Sequence, residues 1–84
     1  MEEKQSEVLE ILKKIVTAIV DDKADVTLSG AQAGTTYAIS MRVSDRDAGK
    51  VIGKAGRTMD AIRLIAAAIG GKEFRSIIML DNSQ

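Results

Sequence analysis

From Gly49 to Arg57 the chain reads Gly-Lys-Val-Ile-Gly-Lys-Ala-Gly-Arg, a run in which Gly49, Gly53 and Gly56 alternate with Lys50, Lys54 and Arg57. Glycines and cations interleaved in this way suit the gripping of a phosphate. Gly53 and Gly56 permit tight backbone geometry and let a sugar-phosphate chain approach without meeting a Cβ. Arg57 opens a helical pattern, so the first N–H groups of that helix lack intrahelical acceptors and present roughly half a positive charge to an anion. Lys54 and Arg57 reinforce that charge. Gly49 stands one turn before Gly53, and the two leave one stripe of the preceding short helix as bare backbone. Each interior glycine costs about 1 kcal/mol relative to alanine. Close contact with a ligand is one compensation and close packing against another helix is the other; at Gly49 taken alone, packing is the expectation. Ile52, beside the turn, is read first as a core residue.

Other chemistries lack their parts. The chain has no cysteine, which removes disulfides and thiolate nucleophiles, and no histidine, which removes the usual metal ligand and neutral-pH general base. Asp45, Asp47 and Asp60 are the remaining acid set; Asp47 has a helix-capping position, and the others read as solvated charges. The expectation is a binding protein, not an enzyme, with no cofactor and no metal. The acidic start, Met-Glu-Glu-Lys-Gln, does not resemble a secretory signal, and no apolar run approaches the roughly 20 residues of a membrane span. A cytoplasmic protein without membrane association is expected.

Formal net charge is zero, yet its distribution is uneven. Residues 1–25 hold seven acids and four bases, net −3, whereas residues 46–75 hold seven bases and three acids, net +4. A neutral domain that binds a polyanion locally would carry such an asymmetry. Only Tyr37 and Phe74 are aromatic, so the exposed stacking platforms of some RNA-binding surfaces are missing; both sit in apolar strand contexts and are expected in the core.

The elements that must hold the turn follow from periodicity. Val8, Leu12, Ile15 and Ile19 recur at helical spacing within a segment from about Ser6 to Val20. Val26 to Ser29 is a short strand candidate, Gly30 to Gly34 a turn, and Tyr37, Ile39, Met41 and Val43 alternate with polar or small residues as a half-buried strand does. Ser44 is a candidate N-cap with Asp47 in a capping-box-like position, opening a short helix to Ile52. A third helix runs from Arg57 to Ile69, stopped by Gly70-Gly71. A last strand runs from Phe74 to Leu80, between Lys72-Glu73 and Asp81-Asn82. The order αββααβ predicts an α+β domain with a mixed three-stranded sheet and three helices on one face, because so small a sheet cannot support two cores. Eighty-four residues fit one such domain, ordered from about residue 6 to 81.

A Gly-x-x-Gly taken alone is weak evidence, since glycines end many helices. Here it joins two helices, follows Val51-Ile52, and precedes apolar Met59 and Ile62. In that setting it resembles the KH-domain signature, Ile-Gly-x-x-Gly between two helices, and the αββααβ order matches the type II, prokaryotic form of the KH fold. Over nearly its whole length the chain is similar to the small bacterial stand-alone KH proteins of the KhpA-like family. The resemblance implies binding of single-stranded RNA, action as an RNA chaperone or post-transcriptional regulator, and assembly as a homodimer or with a larger KH partner of the Jag/KhpB type. It assigns Gly53, Lys54, Ala55 and Gly56 to the backbone clamp, beside Arg57. Gly49, Lys50 and Ile52 would line the groove, with Lys72 and Arg75 on its opposite wall. The competing expectation is a protein-interaction adaptor that keeps the fold without using the groove, motivated by zero net charge and the apolar run Ile65-Ala66-Ala67-Ala68-Ile69.

Overall fold

The acidic start of the chain is already helical in the computed structural model, which describes residues 2–72 and 74–81. Helix α1 spans Glu2–Ile19, beginning four residues before the apolar periodicity does. Glu3, Lys4 and Gln5 carry no apolar signal, but all are strong helix formers, and an acid in the first turn is favoured by the helix dipole. Val8, Leu12, Val16 and Val20 are buried, with Leu9 and Ile15 half-buried beside them, so the inward stripe is turned slightly from the predicted one. Lys23 closes the helix end: its Nζ donates to the carbonyls of Thr17 and Val20, both at 2.8 Å, filling acceptors that a helix terminus leaves open.

A 3₁₀ turn at Lys23–Asp25 leads into β1 (Thr27–Ala33), which pairs antiparallel with β2 (Thr36–Arg42). Residues 30–33, expected as turn, are therefore paired strand, and the hairpin loop is only Gly34-Thr35. Gly34 has φ +62° at the first central position, as a type II′ turn requires. Gly30 is tolerated inside β1 because the Tyr37 ring lies across it; a Cβ there would collide with the ring and its hydroxyl. An aromatic laid over a strand glycine covers backbone that would otherwise be bare.

Strand β3 (Arg75–Leu80) runs parallel to β2 on the side away from β1, with Ala38 opposite Ile77 and Ser40 opposite Met79. Glu73 and Asn82, which bound this strand in the sequence reading, lie outside the described residues. The crossover consists of α2 (Ala48–Ile52) and α3 (Arg57–Gly70). Tyr37, Ile39, Met41 and Ile78 face the helices and meet Val51, Met59, Ile62 and Ala66 in one core. Phe74 packs on Gly70, its ring centroid 5.8 Å from that of Tyr37, so both aromatics are core residues as expected. The other sheet face remains open to water, with Ile77 and Met79 about half exposed. This is the α+β, αββααβ, mixed-sheet architecture of the type II KH fold.

Candidate nucleic-acid interface

The approach to α2 departs from the capping box that the sequence suggests. Ser44 makes no side-chain capping bond. A 3₁₀ turn at Asp45–Asp47 is closed by the Asp47 N–H donating to the Ser44 carbonyl at 2.8 Å, and the Asp47 carboxylate is fully buried. Its Oδ1 accepts the backbone N–H of Asp21 at 3.2 Å and its Oδ2 that of Asp22 at 2.9 Å. Asp47 thus pins the start of α2 to the end of α1 instead of capping its own helix. The Asp22 N–H bond, aided by the one from Asp21 and by Lys50, holds this carboxyl below the usual carboxylate range against the opposing effect of burial.

Two ion pairs straddle this anchor. Lys50 Nζ lies 2.6 Å from Asp21 Oδ2, and Arg46 Nη2 lies 3.0 Å from Asp22 Oδ1. Each hydrogen bond stabilises the charged form of its cation and raises its pKa. Lys50, assigned to the groove by resemblance, is engaged on the α1 side.

The turn itself follows at once. Val51 is the buried member of its apolar pair, and Ile52 is 43% exposed, which overturns the core reading of Ile52. A five-residue helix has room to bury only one side. Gly53 has φ +80° and ψ 169°, a region essentially confined to glycine, and a Cβ there would collide with Thr58. Ala55 (φ +57°) and Gly56 (φ +76°) are consecutive left-handed residues. The Gly56 N–H donates to the Gly53 carbonyl at 3.0 Å and the Arg57 N–H to that of Lys54. The N–H groups of Lys54 and Ala55 precede this first closed turn, where a helical chain offers no acceptor. Successive N–H groups in a turn of this kind make a concavity suited to an anion.

Gly49 does not pack against another helix. Beyond its chain neighbours and its own helix backbone, no atom of the described residues lies within 4 Å of a Cβ built on it, and none beyond the chain neighbours does at Gly56. Close packing therefore does not account for the glycine at position 49, and the bare backbone of both residues faces open space. Lys54 and Arg57 are exposed, and neither has an ion-pair partner among the described residues. Arg42, Arg46 and Arg63 each have one, and Lys50 has two.

Lys72 and Arg75 are not beside the turn. They flank the C-terminal end of α3, whose 14 residues extend about 21 Å from Arg57. Between α3 and β3 near that end lies a cleft of about 170 Å³ lined by Arg63, Ala67, Phe74, Ser76, Ile77 and Ile78. Arg63 Nη2 donates to the Ile78 carbonyl at 3.4 Å and so links helix to strand. The sequence reading missed Arg63 in this place and the Asp21-Asp22 partners of the anchor. Asp60 three residues before Arg63 is a legible helix pair, but contacts across 25 or 26 residues leave no trace in local spacing.

Comparison with known proteins bears on this arrangement directly. Residues 9–79 match the family model described as KhpA/KhpB, KH domain. The chain belongs to the KhpA/KhpB family of KH domains. Among curated relatives it is similar to the RNA-binding protein KhpA of Listeria monocytogenes, 37% identical over 81% of this chain and 90% of that protein. It is also similar to the RNA-binding protein KhpA of Streptomyces coelicolor, 39% identical over 79% of this chain and 84% of that one. The RNA-binding protein KhpA of Mycobacterium bovis is 34% identical over 92% of this chain and 95% of its own length. No solved structure gives a significant match. The KhpA/KhpB match covers α2, the turn and α3 entire, so the glycine turn lies within the family's own domain.

Proposed function

We propose that this KhpA/KhpB-family protein binds single-stranded RNA, clamping its backbone at Gly53-Lys54-Ala55-Gly56, and that it acts in the cytoplasm as an RNA chaperone or post-transcriptional regulator. The observation that carries the reading is the turn: two left-handed residues in succession before α3, flanked by exposed Lys54 and Arg57, neither with an ion-pair partner among the described residues. A phosphate there meets the N–H groups of Lys54 and Ala55, the positive end of α3 and two cations. Gly49 and Gly56 let the sugar come close, since neither has a neighbour where a Cβ would stand. Bases rest on Ile52 and other aliphatic surface, because both aromatic rings are in the core. About four nucleotides fill such a clamp. A longer strand would follow α3 toward Lys72 and Arg75 at its far end.

The curated relatives are named as RNA-binding proteins, which supports the same conclusion. A narrow clamp of this kind accepts only unpaired, splayed bases, so an unstructured RNA oligomer should bind and a perfect RNA duplex should not. Anisotropy titrations with the two probes test this, and equal affinities would refute it.

A homodimer is the proposed assembly. Ala61, Leu64, Ile65 and Ala68 stand at helical spacing on the outer side of α3, with Leu64 72% and Ile65 39% exposed. A second copy would cover this stripe, and a larger KH protein of the Jag/KhpB type is the alternative occupant.

A further inference from the structure

Residues 1–25 carry the chain's excess of acid and residues 46–75 its excess of base, and the fold joins the two beside the proposed clamp. Asp21 and Asp22, directly after α1, hold Lys50 and Arg46 at 2.6 and 3.0 Å. Arg46, in the 3₁₀ turn before α2, and Lys50, on α2, precede Lys54 along the chain. The last of the three stands in the glycine turn. Two of the three cations on this approach to the clamp are therefore already neutralised by carboxylates of the same chain.

We propose that Asp21 and Asp22 are internal competitors for RNA phosphate, which hold Lys50 and Arg46 back from the ligand and thereby set a low affinity. The proposal rests on the reading of the turn as an RNA clamp. Lys50 lies within one helical turn of both Gly49 and Gly53, and its flexible four-carbon stem can swing between a carboxylate on one side and a phosphate on the other. Both pairs are accessible to a ligand: side-chain exposure is 47% at Lys50 and 65% at Asp21, 69% at Arg46 and 36% at Asp22. A strand that takes either cation must first displace its carboxylate, so part of the new contact is spent on breaking the old one. Fewer phosphates are then neutralised than the count of nearby cations suggests.

The competitors can be removed without disturbing the anchor. Asp47 is held by the backbone N–H groups of Asp21 and Asp22, not by their side chains, and asparagine retains both donors. Asp22 stands before the Lys23–Asp25 turn without a side-chain capping bond, so the fold loses none there.

The test is a salt series of anisotropy titrations with a labelled single-stranded oligouridylate, on the parent and on D21N/D22N. Exposed ion pairs of this kind correspond to about two- to fivefold each in an equilibrium constant. D21N/D22N is expected to bind tighter by at least that factor at low salt, with a salt slope steeper by about 0.7 for each phosphate contact regained. Lys50→Ala should cost more affinity in the Asp21→Asn background than in the parent, a coupling that a double-mutant cycle reads directly. Asp21→Asn alone carries the same sign of effect should the double variant melt early. Unchanged affinity and slope in D21N/D22N would overturn the proposal, as would an equal loss from Lys50→Ala in both backgrounds. Failure of the parent itself to bind the oligomer would overturn the clamp reading and this proposal with it, and is distinguishable because it needs no variant.

Discussion

The carboxylate of Asp47 lies 2.9 Å from the backbone nitrogen of Asp22, 25 residues earlier, and no solvent reaches it. Helix α1 is packed on the sheet by three fully buried aliphatic residues, Val8, Leu12 and Val16, whereas α2 fully buries only Val51. So short a helix cannot fix its own orientation. The bonds from Asp21 and Asp22 tie its start to a rigid neighbour, and the glycine turn is aimed accordingly.

That anchor makes stability depend on acid in a defined direction. The folded-state carboxyl of Asp47 is held below the ordinary value of 3.8, so the unfolded chain binds the proton more readily. Its stabilising contribution is fully present above about pH 5 and is lost as pH falls through the unfolded and then the lowered folded value. Asp47→Asn, which loses one acceptor oxygen and the charge, should lower the melting temperature by several degrees near neutral pH. The gap between parent and variant should narrow steadily as pH falls. Denaturant melts of both proteins from about pH 7 to about pH 3 measure it; a gap that stays constant would show that Asp47 does not titrate with folding.

The glycines of the turn should separate into two classes on substitution. Gly53→Ala forces a Cβ into a backbone region essentially confined to glycine, a cost of about 1–3 kcal/mol before the collision with Thr58 is counted. It should therefore melt markedly lower than the parent with or without RNA. Gly49→Ala should do the opposite: the residue is helical, nothing occupies the space of its Cβ, and the helix gains up to about 1 kcal/mol. A more stable protein that binds single-stranded RNA more weakly is the expected result at Gly49. A stabilised variant with unchanged affinity would remove Gly49 from the interface.

Helical periodicity made α1 and α3 legible, and alternation made β2 legible, because each buries one face along most of its length. The hairpin was less so. Gly30 is a turn residue by local chemistry, and only the Tyr37 ring laid across it makes it a strand residue. At the candidate site, the turn from Gly53 to Gly56 could be read directly, since positive φ and glycine go together. The environments of Lys50 and Asp47 could not, because their partners come from the end of α1. Summing charge along the chain likewise overstated the free positive charge near the turn, as the acidic and basic segments fold against each other there.

Dimerisation through α3 predicts a variant with a clean signature. Leu64 is 72% exposed in the single chain, so Leu64→Lys removes little packing within one copy. An interface of useful stability buries roughly 1,000 Å² or more, and a charge at its centre would oppose it. The parent should sediment as a dimer at micromolar concentration and show a melting temperature that rises with protein concentration. Leu64→Lys should sediment as a monomer and lose that dependence. A parent that sediments only as monomer would end the idea.

Replacing Lys54 and Ala55 together by Asp is the most direct trial of the clamp. Both side chains are exposed, and Ala55 already occupies the left-handed region, which aspartate tolerates better than most residues. Stability should therefore change by about 0.5 kcal/mol or less, apart from the unfavourable placement of acid beside acid. Binding should be lost. The substitution exchanges one cation for two anions at the N-terminal end of α3, where the proposed phosphate sits, and attraction becomes repulsion at the one place the backbone is gripped. Lys54→Ala alone should weaken binding only mildly, because the N–H donors and Arg57 remain. Thermal melts and anisotropy titrations with single-stranded RNA on the same preparations decide the matter: a double variant that melts like the parent and binds RNA equally well would take the clamp away from this turn and favour a KH-fold adaptor that meets its partner through the apolar side of α3.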